Sequence, residues 1–159
     1  MTALAAGAPA PLFTLSCDDG ASFDLFSERG RFVVLFFYPE DDTEGCTIEN
    51  REFSDLAPDF AELGATLVGI SPNAIEQHAR FRRKYGLEMR LAADPDRIAI
   101  EAYGIWGEKT TFGHAYVGLI RTTFIIAPDG TIAEIIPVPR IRGHAARILE
   151  RIRHLRAKN

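Results

Sequence analysis

The sequence predicts an α/β fold in which a central mixed β-sheet is flanked by helices and preceded by an N-terminal β-hairpin. Apolar, β-branched segments alternate with amphipathic helical patterns, which is typical of strands and helices packed in layers. The turns Asp18-Asp19-Gly20 and Pro128-Asp129-Gly130 each separate two strand-like segments and therefore indicate hairpins. With 159 residues, of which 47% are hydrophobic, the chain is predicted to form a single domain over residues 1–159.

The N-terminal third predicts a hairpin followed by a strand and two helices. Residues 12–26 form the hairpin, and the apolar run Phe32–Tyr38 is a buried strand. This strand ends at Pro39, because proline cannot donate to a sheet ladder. The helix that follows is predicted to stop before Pro58, which begins a short second helix closed by Gly64.

The rest of the chain predicts two more strand–helix units, a loop, a hairpin and a basic C-terminal helix. Proline, glycine and Asx residues mark the boundaries of these elements. In chain order the elements are a strand at Ala65–Ile70, a helix capped by residues 71–73 and running through Tyr85, a strand at Arg90–Ala93, a helix at Asp96–Tyr103, a loop at Ile105–Leu119, strands at Thr122–Ala127 and Thr131–Val138, and a helix at Gly143–Lys158.

Composition excludes several classes of function. The net charge of −4 and the pI near 5.6 disfavour a nucleic-acid surface. No apolar run reaches the roughly 18 residues that span a bilayer, and the N-terminus is a poor signal peptide, so we expect a cytoplasmic protein without a membrane partner. Two cysteines are too few for a disulfide framework or a zinc site. The histidines lack metal-ligand spacing and are predicted at the surface or at helix caps: His78, His114, His144 and His154.

Cys46 is the strongest candidate for a chemical role. It follows the buried strand and an acidic loop, and it opens a segment whose apolar residues have helical spacing. The first turn of a helix has backbone N–H groups without intrahelical partners and the positive end of the helix dipole, and both favour a thiolate. Thr43 lies three residues earlier, where its hydroxyl can reach the sulfur. The alternative is a small buried residue beside a capping threonine.

The pattern Pro39-x-x-x-Thr43-x-x-Cys46 resembles the active-site signature of the peroxiredoxins, thiol peroxidases of the AhpC/TSA superfamily with a thioredoxin-like fold. The string F-Y-P-E-D-D-T-E-G-C-T-I-E from Phe37 to Glu49 is similar to the peroxiredoxin Q (bacterioferritin comigratory protein) subfamily. The resemblance covers nearly the whole chain. It continues in the segments Gly69–Pro72, Tyr103–Lys109, Arg121–Ile126 and Arg142–Ala145.

The resemblance implies reduction of hydrogen peroxide or small organic hydroperoxides without a metal, haem or flavin cofactor. The Cys46 thiolate would attack the peroxide and become a sulfenic acid. Thr43 and Arg121 would stabilise the charge that develops on the leaving oxygen. The remaining site residues that it implies are Pro39, which would shield the pocket from water, Glu49, which would hold the arginine, and Gly45, which would contribute nearby backbone N–H groups.

One departure from the family pattern bears on how the sulfenic acid is reduced. The best-known peroxiredoxin Q enzymes carry a resolving cysteine five residues after the nucleophile, where this chain has Arg51. The resemblance is therefore to one-cysteine members, which use an external thiol such as thioredoxin, or glutaredoxin with glutathione. Cys17 is the only internal candidate, and a disulfide would need the two Cα atoms within ~7 Å. The subfamily includes monomers and homodimers.

Two other functions remain open at this point. A thioredoxin-like thiol exchange protein would use Cys46-Thr47-Ile48-Glu49 as a degenerate C-x-x-C, but such a protein needs neither Thr43 nor Arg121. A non-catalytic binding or chaperone-like module would keep the fold and would not depend on Cys46. Consumption of peroxide separates both alternatives from a peroxidase.

Overall fold

The computed structural model describes residues 2–138 and 140–158 and has a five-stranded mixed sheet at its centre. The sheet order is β5-β4-β3-β8-β9, with β3, β4 and β5 parallel to one another and β8 and β9 antiparallel to their neighbours. The elements are β1 (Thr14–Ser16), β2 (Ser22–Asp24), β3 (Val33–Phe37), α1 (Glu44–Glu62), β4 (Thr66–Ser71), α2 (Ile75–Tyr85), β5 (Arg90–Ala93), α3 (Ile98–Ala102), β6 (Trp106–Thr111), β7 (His114–Leu119), β8 (Thr122–Ile126), β9 (Ile132–Pro137) and α4 (His144–Lys158).

This architecture confirms the predicted α/β class, the central mixed sheet and the N-terminal hairpin, which β1 and β2 form. Successive side chains of β3 point to opposite faces of the sheet and all five are buried. Leu35 and Phe37 lie in a core with α3 and the N-terminal hairpin, whereas Val34 and Phe36 lie in a second core with α1 and α4. The sheet therefore separates two hydrophobic cores. No helix among the described residues has the length and apolar character needed to cross a membrane.

The prediction that Pro58 begins a new helix was wrong, because α1 continues through it from Glu44 to Glu62. An internal proline costs a helix about 3 kcal/mol through the lost hydrogen bond and the steric clash of its ring. Phe53 and Phe60, on either side of Pro58, are both fully buried in the second core. Burial of two such aromatic side chains stabilises the helix by an amount that offsets this cost.

The predicted loop at Ile105–Leu119 was also wrong, since β6 and β7 form an antiparallel hairpin there. Its two-residue turn, Phe112-Gly113, has positive φ at both positions, 52° and 79°. Such a turn normally selects Asn or Gly at its first position, and phenylalanine is a poor signal for it. The hairpin was missed because one of its two turn residues is atypical.

Candidate active site

The end of β3 and the start of α1 place Cys46 beyond the C-terminal end of the central strand. A short loop, residues 38–43, joins the two elements, and Thr43 is the extended N-cap residue of α1. Cys46 is the third residue of the helix and is only 1% exposed. The predicted position in a first helical turn is therefore found, with the thiol inside the second core near unpaired backbone N–H groups.

Arg121 reaches the same point from the next strand. It directly precedes β8, whose first residue, Thr122, lies opposite Phe37 at the end of β3. The Nη2 atom of Arg121 donates a hydrogen bond to the Cys46 sulfur at 3.3 Å. Its Nη1 atom donates to Oε1 of Glu49 at 2.5 Å. The arrangement gives the sulfur a fixed cationic hydrogen-bond donor.

Glu49 lies one helical turn after Cys46 on the same face of α1 and is buried. Burial raises the pKa of Glu49 to about 7, although Arg121 opposes this shift. Burial also lowers the pKa of Arg121, but the charges of Glu49 and Cys46 outweigh it and the net shift is upward. Oε2 of Glu49 has no hydrogen-bond partner among the described residues. Arg121 thus keeps its charge, and Glu49 holds one arm of its guanidinium.

Gly45 permits the close packing of Ile141 against the first turn of α1. A Cβ atom placed on Gly45 would lie 2.8 Å from Cδ1 of Ile141 and 3.5 Å from Nη2 of Arg121. Ile141, in the segment before α4, therefore covers the first turn of α1. A side chain at position 45 would push Ile141 outward, whereas its Cβ would be in ordinary van der Waals contact with the guanidinium.

Thr43 and Pro39 flank this centre. Among the described residues, neither of them contacts the Cys46 sulfur. The exposed Thr43 donates its hydroxyl hydrogen to the carbonyl oxygen of Glu40 at 2.9 Å. The lone pairs of its oxygen remain able to accept a hydrogen bond from a peroxide O–H group. Pro39 is half-buried at the end of β3. The structure thus brings Cys46, Arg121 and Glu49 together.

Cys17 lies in the other core. It is fully buried, forms an isolated bridge with Ala92 and belongs to the hydrophobic cluster on the opposite face of the sheet from Cys46. Both cysteines are free thiols. Burial raises the pKa of Cys17 to about 11, with Arg90 opposing the shift. This position disfavours a role for Cys17 in attacking an oxidised Cys46.

Two histidines predicted at the surface or at caps are buried instead. His78 is fully buried on α2, and His144 is buried at the first position of α4. Neither has a local sequence signal for burial beyond its helical spacing. Nε2 of His144 lies 2.8 Å from Oγ1 of Thr123, and its ring packs edge-on against Phe53 at 5.9 Å between ring centroids.

His144 should make the protein sensitive to acid. Burial, followed by the charges of Arg147 and Arg121, lowers the pKa of His144 to about 4 from an ordinary value of 6.5. The stability that the neutral His144 ring contributes is fully present above pH 6.5 and is lost as the pH falls through 4. It is lost because His144 binds a proton at a higher pH in the unfolded chain than in the folded protein. We expect the unfolding free energy of the wild type, relative to His144→Gln, to fall by about 3 kcal/mol between pH 7 and pH 4. Urea unfolding at both pH values measures this difference, and a pH-independent difference would contradict it.

Comparisons with known proteins extend over the whole of this site. A model of the AhpC/TSA family matches residues 6–135, which include every site residue named above. Peroxiredoxin Bcp of Bacillus subtilis is 35% identical over 152 residues, covering 96% of this chain and 97% of that protein. Peroxiredoxin Bcp of Xanthomonas campestris is 33% identical over 143 residues, covering 89% of each chain.

Solved structures show the same fold. Peroxiredoxin Q of Xanthomonas campestris superimposes with a TM-score of 0.84 at 31% identity, over 89% of this chain and 90% of that one. The bacterioferritin comigratory protein of the same organism, described for its alkyl peroxide reduction activity, superimposes with a TM-score of 0.87 at 29% identity, over 94% and 98% of the two chains. The structural similarity thus extends over about nine tenths of the chain.

Proposed function

The chain belongs to the AhpC/TSA family and is a peroxiredoxin, a thiol-dependent peroxidase, and from this premise we propose that Cys46 is its nucleophile in a one-cysteine mechanism. The observation that carries the assignment is the hydrogen bond from Arg121 to the Cys46 sulfur at 3.3 Å. A cysteine at a helix start, with a fixed guanidinium donating a hydrogen bond to its sulfur, has the arrangement of an activated nucleophile.

The thiolate attacks the nearer oxygen of the peroxide. A sulfur–oxygen bond forms as the oxygen–oxygen bond breaks, and the sulfur gives two electrons to the peroxide. The leaving oxygen takes a proton and departs as water or an alcohol, and Cys46 becomes a sulfenic acid. Arg121 lies where it can stabilise the thiolate and then the negative charge on the leaving oxygen.

Four further residues have supporting roles in this proposal. Glu49 fixes the orientation of Arg121 through the 2.5 Å hydrogen bond. Backbone N–H groups near Gly45 help to stabilise the thiolate and the polarised oxygens of the peroxide. Thr43 accepts a hydrogen bond from the peroxide O–H group. Pro39, half-buried just after β3, limits the access of water to the pocket.

An external thiol then reduces the sulfenic acid. Arg51 stands at the position of the usual resolving cysteine, and Cys17 lies on the far face of the sheet. The external thiol forms a mixed disulfide with Cys46 and releases water, and a second thiol frees the cysteine. We propose thioredoxin, or glutaredoxin with glutathione, as the reductant of a cytoplasmic monomer or homodimer. The substrates are hydrogen peroxide and small organic hydroperoxides.

Reaction with one equivalent of hydrogen peroxide, without added thiol, tests the proposal. Intact mass and dimedone labelling of the wild type, Cys17→Ser and Cys46→Ser identify the oxidised residue. We expect a dimedone adduct in the wild type and in Cys17→Ser and none in Cys46→Ser. A Cys17–Cys46 disulfide would instead make Cys17 the resolving residue. A wild type that peroxide leaves unchanged would remove Cys46 from the reaction.

A further inference from the structure

The loop between β3 and α1 is held by a buried network of polar side chains that lies outside the site described above. Its centre is Asp41. Oδ1 of Asp41 accepts a hydrogen bond from the Tyr38 hydroxyl at 2.6 Å, and Oδ2 lies 2.6 Å from Nδ1 of His78. The backbone N–H of Asp41 donates to Oδ1 of Asn73 at 2.9 Å. The residue that follows β3, the β4–α2 connection and α2 therefore all hold this one loop residue.

His78 joins the loop to the sheet. Its ring is fully buried, and the side chain of Asp41 is only 5% exposed. Nε2 of His78 lies 3.1 Å from the carbonyl oxygen of Ala92 in β5. A carbonyl oxygen only accepts, so Nε2 carries a hydrogen. Nδ1 faces the Asp41 carboxylate, so the two ring nitrogens of His78 link the loop to β5.

Tyr38 supplies the second donor to Asp41. Burial, and next the charge of Asp41, hold the pKa of Tyr38 well above its ordinary value, so the phenol keeps its proton and donates it. Tyr38 and His78 thus approach the two oxygens of one carboxylate from different elements. Because both oxygens of the Asp41 carboxylate form short hydrogen bonds, the side chain is held in one orientation.

The next loop residue is also anchored to α2. Asp42 has a left-handed backbone with φ of 62°, which is uncommon for a residue with a side chain. Its carboxylate accepts hydrogen bonds from Nζ of Lys84 at 2.8 Å and from the Tyr85 hydroxyl at 2.9 Å. Asp41 and Asp42 are followed at once by Thr43, the N-cap of α1, and Cys46 lies three residues further on.

We propose that His78 is a positioning residue for peroxide reduction, because its bond to Asp41 fixes the loop that places Thr43 and the first turn of α1 beside Arg121. The inference rests on the proposed role of Cys46 as the nucleophile. His78 does not touch the sulfur and acts only through Asp41. Loss of the bond lets the loop shift, and a misplacement of about 1 Å at a reacting centre can slow a reaction about 100-fold.

Two substitutions separate the two hydrogen bonds of His78. In His78→Asn the amide nitrogen replaces Nδ1 and retains the bond to Asp41, whereas in His78→Gln it replaces Nε2 and retains the bond to Ala92. We expect His78→Gln to form the sulfenic acid at least about tenfold more slowly than the wild type, and His78→Asn to stay within about threefold of it. Single-turnover oxidation by hydrogen peroxide measures these rates, and urea unfolding measures stability in parallel.

Arg82→Gln is the matched control. Arg82 lies on the same helix and forms a hydrogen-bonded ion pair with the buried Asp18, at 2.5 Å and 2.9 Å, but it does not contact the loop. We expect this variant to lose stability and to keep the wild-type rate. Asp41→Asn provides a second test that does not depend on the folding of His78→Gln, and it should also be slow.

Several outcomes would overturn the inference. A wild-type rate in His78→Gln, or equal slowing in His78→Asn and His78→Gln, would show that the bond to Asp41 does not position the site. Equal slowing in Arg82→Gln would attribute the effect to general loss of stability. If the wild type itself forms no sulfenic acid at Cys46, the proposed function fails before the role of His78 is measured.

Discussion

Replacing Arg121 by lysine is expected to slow the oxidation of Cys46 by hydrogen peroxide by about 10²–10³-fold, the usual effect of removing one preorganised donor to a developing charge. Lysine keeps the positive charge but has a single nitrogen at its end. Its three N–H donors sit on one atom, which cannot occupy both positions from which Nη2 bonds the Cys46 sulfur and Nη1 bonds Glu49. Stopped-flow measurement of the second-order rate constant tests this.

Arg151→Lys is the control for that substitution. Arg151 on α4 also forms hydrogen bonds to a glutamate, Glu134 of β9, through Nε and Nη2, but it lies away from Cys46. We expect its rate constant to match that of the wild type within about twofold, because a partly exposed ion pair contributes little to the stability of the protein. A rate loss below tenfold in Arg121→Lys would show that the charge alone, without the forked geometry, supports the reaction.

Phe53→Ala is expected to lower the free energy of unfolding by about 3–5 kcal/mol. Phe53 is fully buried on α1 and stacks on Phe36 of β3 with 4.2 Å between ring centroids. It also packs against Phe60 and His144. Truncation would leave a cavity between the catalytic helix, the sheet and α4. Urea or thermal unfolding of the purified variant measures the loss.

Phe112→Ala removes the same number of atoms from an exposed position. Phe112, at the turn of the β6–β7 hairpin, is 97% exposed, so we expect a change within about 0.5 kcal/mol. If both alanine variants lost similar stability, the second core would not be what anchors α1. Peroxidase assays on Phe53→Ala below its unfolding midpoint would then separate loss of fold from loss of activity.

The sequence is most informative where chemistry and local structure coincide. The apolar strand, Pro39, the acidic loop and the helical spacing predict Cys46 in a first helical turn, because each signal concerns adjacent residues. Arg121 carries no such signal. It lies 75 residues from Cys46, and only the antiparallel pairing of β8 with β3 brings it to the same end of the central strand. Its role was expected from the family resemblance and not from the pattern of residues.

Long-range pairing also explains what the sequence did not predict. The contact between Asp41 and His78 joins residues 37 apart, and that between Thr123 and His144 joins residues 21 apart. A histidine on an amphipathic helix has the same local pattern whether its partner is water or a buried carboxylate. Burial of a charged or polar side chain is decided by the tertiary partner.

The proline inside α1 divides the helix into two regions of different local stability. Pro58 has no amide hydrogen, so the carbonyl of Ser54 lacks its usual partner in the helix. Pro58 thus removes one hydrogen bond between the first turns of α1 and its last turn, which Phe60 anchors in the second core. Cys46 and Glu49 lie before this break, so we expect slower amide hydrogen exchange there than in the last turn of α1.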